Sequence, residues 1–134
     1  MHDEQLSALL ERHGVAPTTQ RLEIARVLLA QAQHLSADQV LGRLHAAGAR
    51  VSKATVYNTL NLFAERGLAR HVIVDPAKVF FDSNVAPHQH FYNVDTGALT
   101  DIGAEMLAPA RLPSAPAGTE ICGVDVIVRV RGGG

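Results

Sequence analysis

The chain has 134 residues, 47% of them hydrophobic and 19% charged, with a formal net charge of −1. Those proportions exclude a disordered or fibrous chain, and no apolar run approaches the roughly 20 residues of a membrane helix. The opening His2-Asp3-Glu4 lacks the basic and apolar regions of a secretory signal, so a cytoplasmic protein is expected. The single Cys122 rules out an internal disulfide and a cysteine zinc cluster, which leaves His, Asp and Glu as ligands for any metal.

Leu6, Leu9 and Leu10 recur at helical spacing, and Gly14 is a stop, which predicts a first helix over about residues 3–13. Pro17-Thr18-Thr19 opens a second, with Leu22, Ile24, Ala25, Leu28 and Leu29 as its apolar stripe to about residue 32. Ser36 and Gln39 form a capping box for a third, with Val40, Leu41 and Leu44 inward and Gly48 as its stop. Ser52 caps a fourth that ends at Gly67, its inward face formed by Ala54, Val56, Leu60 and Phe63. The period then changes. Residues 68–74 and 78–82 read as a hairpin turning at Asp75-Pro76-Ala77, the wing of a winged helix. Strands follow over His90–Asn93, Ala98–Ile102 and Ile121–Val130, with a helical turn expected over Gly103–Leu107 and a loose Gly132-Gly133-Gly134 tail. Residues 1–74 carry a net +2 and residues 75–134 a net −3, a mild asymmetry that turns the first half toward a polyanion. The expected organisation is α+β: a winged helix-turn-helix over residues 1–82, then a small α/β domain over 83–134.

Two constellations carry chemistry. On the fourth helix, Ser52, Lys53, Thr55, Tyr57, Asn58 and Asn61 fall on the outer face, the short polar set that a major-groove helix needs. Thr55 and Tyr57 suit phosphates or a thymine methyl, Asn58 suits adenine, and Arg21 and Arg50 suit phosphates. The same spacing also describes an ordinary solvated helix face. Further on, His88-Gln89-His90 places two imidazoles on one side of an extended segment, with Asp82 and Asp101 on flanking strands. That is a mixed nitrogen and oxygen donor set for a divalent cation. His2, His13, His45 and His71 show no such partners by spacing and read as surface or hydrogen-bonded histidines.

Ala54-Thr55-Val56-Tyr57-Asn58-Thr59-Leu60, with Gly14-Val15 and Thr19-Gln20-Arg21 before it and Gly67-Leu68 after, resembles the DNA-binding half of the ferric uptake regulator (Fur) family. The similarity runs from about residue 5 to about residue 130. The resemblance implies a homodimeric, metal-dependent transcription regulator, a repressor or an activator, on palindromic double-stranded operator DNA, with residues 1–82 as the DNA-binding domain and 83–134 as the dimerisation and metal-sensing domain. It implies DNA contacts from Arg21, Ser52, Lys53, Thr55, Tyr57 and Asn58, and a metal held by His34, Asp82, His88, His90 and Asp101. Fe(II) or Mn(II) suits that set, with zinc as a competitor in purified protein. No membrane partner, organic substrate or enzymatic turnover is expected.

Aspartate at 82 and 101, where iron-sensing members usually carry glutamate, resembles the peroxide-sensing (PerR) branch, as does the ligand spacing. That branch implies oxidation of a ligating histidine, His34 or His88, by peroxide at Fe(II). Phe81-Asp82-Ser83-Asn84 and His90-Phe91-Tyr92 also resemble the iron-response (Irr) regulators, some of which answer to haem, although Gln89 interrupts their run of three histidines. A different class, a small non-haem iron oxygenase on His88, His90 and Asp101, leaves the helical half without a role. Asn93 and Thr96 stand where most members place a Cys-x-x-Cys pair, so no structural zinc is expected; Gln89 stands where some relatives place the acidic ligand of a second metal site, so one metal per protomer is expected.

Overall fold

The computed structural model describes residues 2–85, 89–102 and 113–133. The chain divides into two compact units, residues 1–85 and 86–134. Asp82 and the three residues after it belong with the first.

Four helices open the first unit: α1 (Asp3–Arg12), α2 (Thr19–Leu28), α3 (Ala37–Ala46) and α4 (Lys53–Glu65). Each start has a local cause. Gln5 Oε1 accepts the His2 N–H before α1, and the Thr18 hydroxyl accepts from Arg21 N. Ser36 and Gln39 form the expected capping box, and the Ser52 side chain accepts from Thr55 N. Leu6, Leu10, Ile24, Leu28, Val40, Val56, Leu60 and Phe63 are buried together with Leu35 and Phe81 in one core. On α4 the burial corrects the expected face: Ala54 is exposed, Thr55 is half-buried and Thr59 is buried. Ala54 lies two residues before Val56, about 160° round the helix, so it cannot share that face.

Helix α2 stops at Leu28 rather than near residue 32, because the Gln33 amide takes its terminal carbonyls. Gln33 Nε2 donates to Val27 O at 2.7 Å and to Leu28 O at 3.1 Å. The chain then forms an unanticipated strand, β1 (His34–Ser36), antiparallel to β3 (Lys78–Asp82). Strand β2 (Arg70–Asp75) pairs with the other edge of β3 as the wing, giving the order β1-β3-β2. The Asp75 carboxylate accepts from Ala77 N at the wing turn.

In the second unit, β4 (Gln89–Asn93) lies between β5 (Leu99–Ile102), which is antiparallel, and β6 (Ile127–Val130), which is parallel. The β4–β5 turn is closed by Asn93, whose side-chain oxygen accepts from Asp95 N and Thr96 N, with Gly97 at φ 77°. Strand β6 begins at Ile127, not Ile121. The preceding residues are instead held by the Gln89 side chain, which accepts from Val126 N and donates to Val124 O. The main-chain ladder itself reaches Val126, whose carbonyl accepts from His90 N at 3.2 Å, and the side chain takes over beyond it. Gly132 N donates to Asp95 Oδ2 at 2.8 Å, so the expected loose tail is tied at its first glycine. The helical turn expected at Gly103–Leu107 lies outside the described residues. Among those described, no helix is long and apolar enough to cross a membrane.

Candidate metal centre and reading helix

Strand alternation explains where the first His–Asp pair stands. Leu35 and Phe81, opposite one another, face the helical core. The adjacent pair, His34 opposite Asp82, therefore shares the other face of the sheet. Asp82 is 1% exposed, and its Oδ1 accepts from Asn84 N at 2.8 Å. His34 is half-buried, its ring edge-on to Phe80 with centroids 6.4 Å apart. A buried carboxylate calls for a cation or several hydrogen bonds, and an imidazole directly across from it supplies a neutral nitrogen donor.

The second pair arises in the same way on β4 and β5. His90 is opposite Asp101, with Nε2 3.3 Å from Asp101 Oδ1. The ring is 2% exposed, while the carboxylate is exposed. Two imidazoles and two carboxylates are thus presented as two cross-strand pairs, a donor chemistry that fits Mn(II), Fe(II) or Zn(II). His88 lies outside the described residues, so its expected roles as ligand and oxidation target, and the oxygenase triad that would include it, are not described by this geometry.

Three of the other histidines take other partners. His13 Nδ1 lies 2.8 Å from Arg66 O, His45 Nε2 3.0 Å from Val51 O, and His71 Nε2 3.1 Å from Asn61 Oδ1. At the sites expected to hold a cysteine pair in most relatives, Asn93 and Thr96 close their turn by hydrogen bonds, and Thr96 Oγ1 accepts from Ala98 N. The exposed Cys122 stands alone.

On α4, Tyr57 and Asn58 are exposed. The Ser52 hydroxyl donates to Thr55 Oγ1 at 2.9 Å, so Thr55 is engaged in the cap. Lys53 Nζ is 3.3 Å from Asp38 Oδ1 and 5.8 Å from the centre of the Tyr57 ring. Arg21 donates from Nη1 to Ala16 O at 3.1 Å and so braces the turn before α2. Sequence spacing points to Asp82, His88, His90 and Asp101 and the family resemblance adds His34, but neither points to Gln33 or Ser83, whose bonds to each other span 50 residues and leave no periodic signal.

A winged helix joined to a three-stranded unit, with His–Asp pairs suited to a divalent cation, defines the structural class. The model described as "Ferric uptake regulator family" matches residues 12–125, and the chain belongs to that family. It is 31% identical over 98 residues to the peroxide-responsive repressor PerR of Staphylococcus epidermidis, covering 73% of this chain and 65% of that one. The match thus spans just under two thirds of that relative's length. The Pseudomonas aeruginosa ferric uptake regulator, solved with manganese, is 29% identical at a TM-score of 0.72, covering 94% of this chain and 96% of that one. The Vibrio cholerae ferric uptake regulator has a TM-score of 0.73 at 24% identity, covering 93% of this chain and 98% of that one, a likeness of fold.

Proposed function

We propose that this chain is a metal-dependent transcriptional repressor that binds palindromic operator DNA as a homodimer and responds to peroxide. The observation that carries the reading is the pairing of His34 with Asp82 and of His90 with Asp101, each directly opposite on neighbouring strands. His34, Asp82, His88, His90 and Asp101 would hold one Fe(II) or Mn(II) per protomer. Occupancy favours whichever state of the protein binds the ion better, so DNA binding follows the metal by differential affinity alone. Support for the peroxide signal comes from the 31% identity to a peroxide-responsive repressor and from aspartate at both carboxylate positions. Fe(II), when bound, supplies the reduction of peroxide that oxidises a ligating histidine, His34 or His88. On the DNA side, Tyr57 and Asn58 read base edges, while Arg21, Ser52, Lys53 and Thr55 contact phosphates.

Operator binding by anaerobic protein, titrated with Mn(II) or Fe(II) before and after a peroxide pulse, tests this. The expected result is metal-dependent binding that peroxide abolishes only in the Fe(II) form, with one oxygen atom gained on the peptide containing His34 or His88. Metal-dependent binding that survives peroxide would refute the peroxide signal. Binding indifferent to metal would refute the site.

A further inference from the structure

We infer that Ser83, acting with Gln33, is a positioning residue that sets the affinity of the His34–Asp82 pair for a divalent cation; this rests on the metal reading above. Gln33 immediately precedes His34, and Ser83 immediately follows Asp82. The two residues bind each other twice: Ser83 N donates to Gln33 O at 2.9 Å, and Gln33 N donates to Ser83 Oγ at 2.9 Å. These bonds extend the β1–β3 ladder one step beyond its last pair, His34 opposite Asp82. The Ser83 hydroxyl closes the arrangement by donating to Gln31 O at 2.8 Å. Its single proton and an acceptor site are therefore both committed, which makes it a holder of ligands rather than a ligand.

Gln33 is in turn fixed from three sides. Its amide nitrogen holds the Val27 and Leu28 carbonyls at the end of α2, and its Oε1 accepts from Arg43 Nη1 of α3 at 3.2 Å. Both strands, one step beyond the His–Asp pair, are thus tied to α2 and α3 through the Gln33 side chain, while Asn84 N fixes one oxygen of Asp82. Ligands must be held to within a few tenths of an ångström, and losing the groups that orient them typically costs about 10- to 100-fold in metal affinity. Ser83, next in the chain to Asp82, links that brace to the carboxylate's own strand.

The test measures Mn(II) affinity of the full chain by electron paramagnetic resonance of free Mn(II), alongside the metal-free thermal midpoint. Ser83→Ala is expected to weaken Mn(II) at least tenfold. Ser83→Thr, which keeps the hydroxyl, is expected to stay within a few-fold of the parent. Gln33→Met keeps both main-chain bonds to Ser83 but frees the side chain; it is expected to weaken binding several-fold and serves as the second variant if Ser83→Ala fails to fold. His34→Ala, run in parallel, separates the two readings. If His34→Ala binds Mn(II) like the parent, the metal reading itself fails. If His34→Ala loses binding while folded Ser83→Ala or Gln33→Met does not, the positioning role is overturned and the metal reading stands. Equal loss in Ser83→Ala and Ser83→Thr, or a lower thermal midpoint with unchanged affinity of the folded protein, also overturns it.

Discussion

Replacing Gly14 and Gly48 by alanine separates backbone strain from side-chain contact within one domain. Both glycines follow helices, at φ 73° and 84°, a region in which an L side chain costs roughly 1–2 kcal/mol. At Gly48 a Cβ meets nothing within 4 Å, so Gly48→Ala should cost only that strain, about 1 kcal/mol after the reduced freedom of the unfolded chain is counted. At Gly14 the Cβ would sit 2.7 Å from Arg66 Nη1. The guanidinium must move, and its 3.3 Å bond to Gly14 O is lost. A hydrogen bond of that kind is worth about 0.5–1.5 kcal/mol, the lower half applying at an exposed site. Gly14→Ala should therefore exceed Gly48→Ala by about 0.5–1 kcal/mol, and the excess should vanish in an Arg66→Ala background. Urea unfolding at constant m-value measures all six chains, the parent and the two glycine variants with and without Arg66→Ala. Equal costs in the parent background, or an excess that persists without Arg66, would show that the Arg66 bridge does not carry the difference.

Gln89→Ala should destabilise the second unit by about 1–2 kcal/mol, because Val126 N and Val124 O both lose their partner; hydrogen exchange at Val126 reports it directly. For Asp3, the hydrogen bond to Arg26 holds the carboxyl below its ordinary range, so its contribution is complete above the unfolded value of about 4 and is lost as pH falls through the folded value. The difference in thermal midpoint between the parent and Asp3→Asn should accordingly be larger at pH 7 than at pH 3, and an unchanged difference would remove the ion pair as its cause.

The helices were legible because apolar spacing and caps are local: Ser36, Gln39 and Ser52 fix starts through bonds to residues three positions away. Strand β1 was not, since three residues carry no usable period and His34–Ser36 is extended only because Phe80, Phe81 and Asp82 lie beside it. The late start of β6 is hidden for a related reason: apolar residues from Ile121 onward look like a strand, but a glutamine 35 residues earlier occupies the carbonyl of Val124. Within the candidate site, residue types and alternation pointed to Asp82, His90 and Asp101, and the family resemblance was needed to add His34. The register that sets His34 against Asp82, and the Gln33–Ser83 bonds that keep it there, are tertiary facts with no signature along the chain.

The parallel partnership of β4 and β6 has a kinetic consequence. Strand β5 reaches β4 through a tight turn, whereas the contact of Gln89 with Val126 closes a loop of 37 residues. Loop entropy therefore orders the events: the β4–β5 hairpin can form in microseconds, while β6 must find its place by a longer search. Until it docks, one edge of β4 displays unpaired amides beside Phe91, a ready template for a strand from another chain. The interval before β6 arrives is when this unit is most exposed to aggregation, and slowing that step by substitution at Ile127 or Val128 should lower the yield of refolding as protein concentration rises.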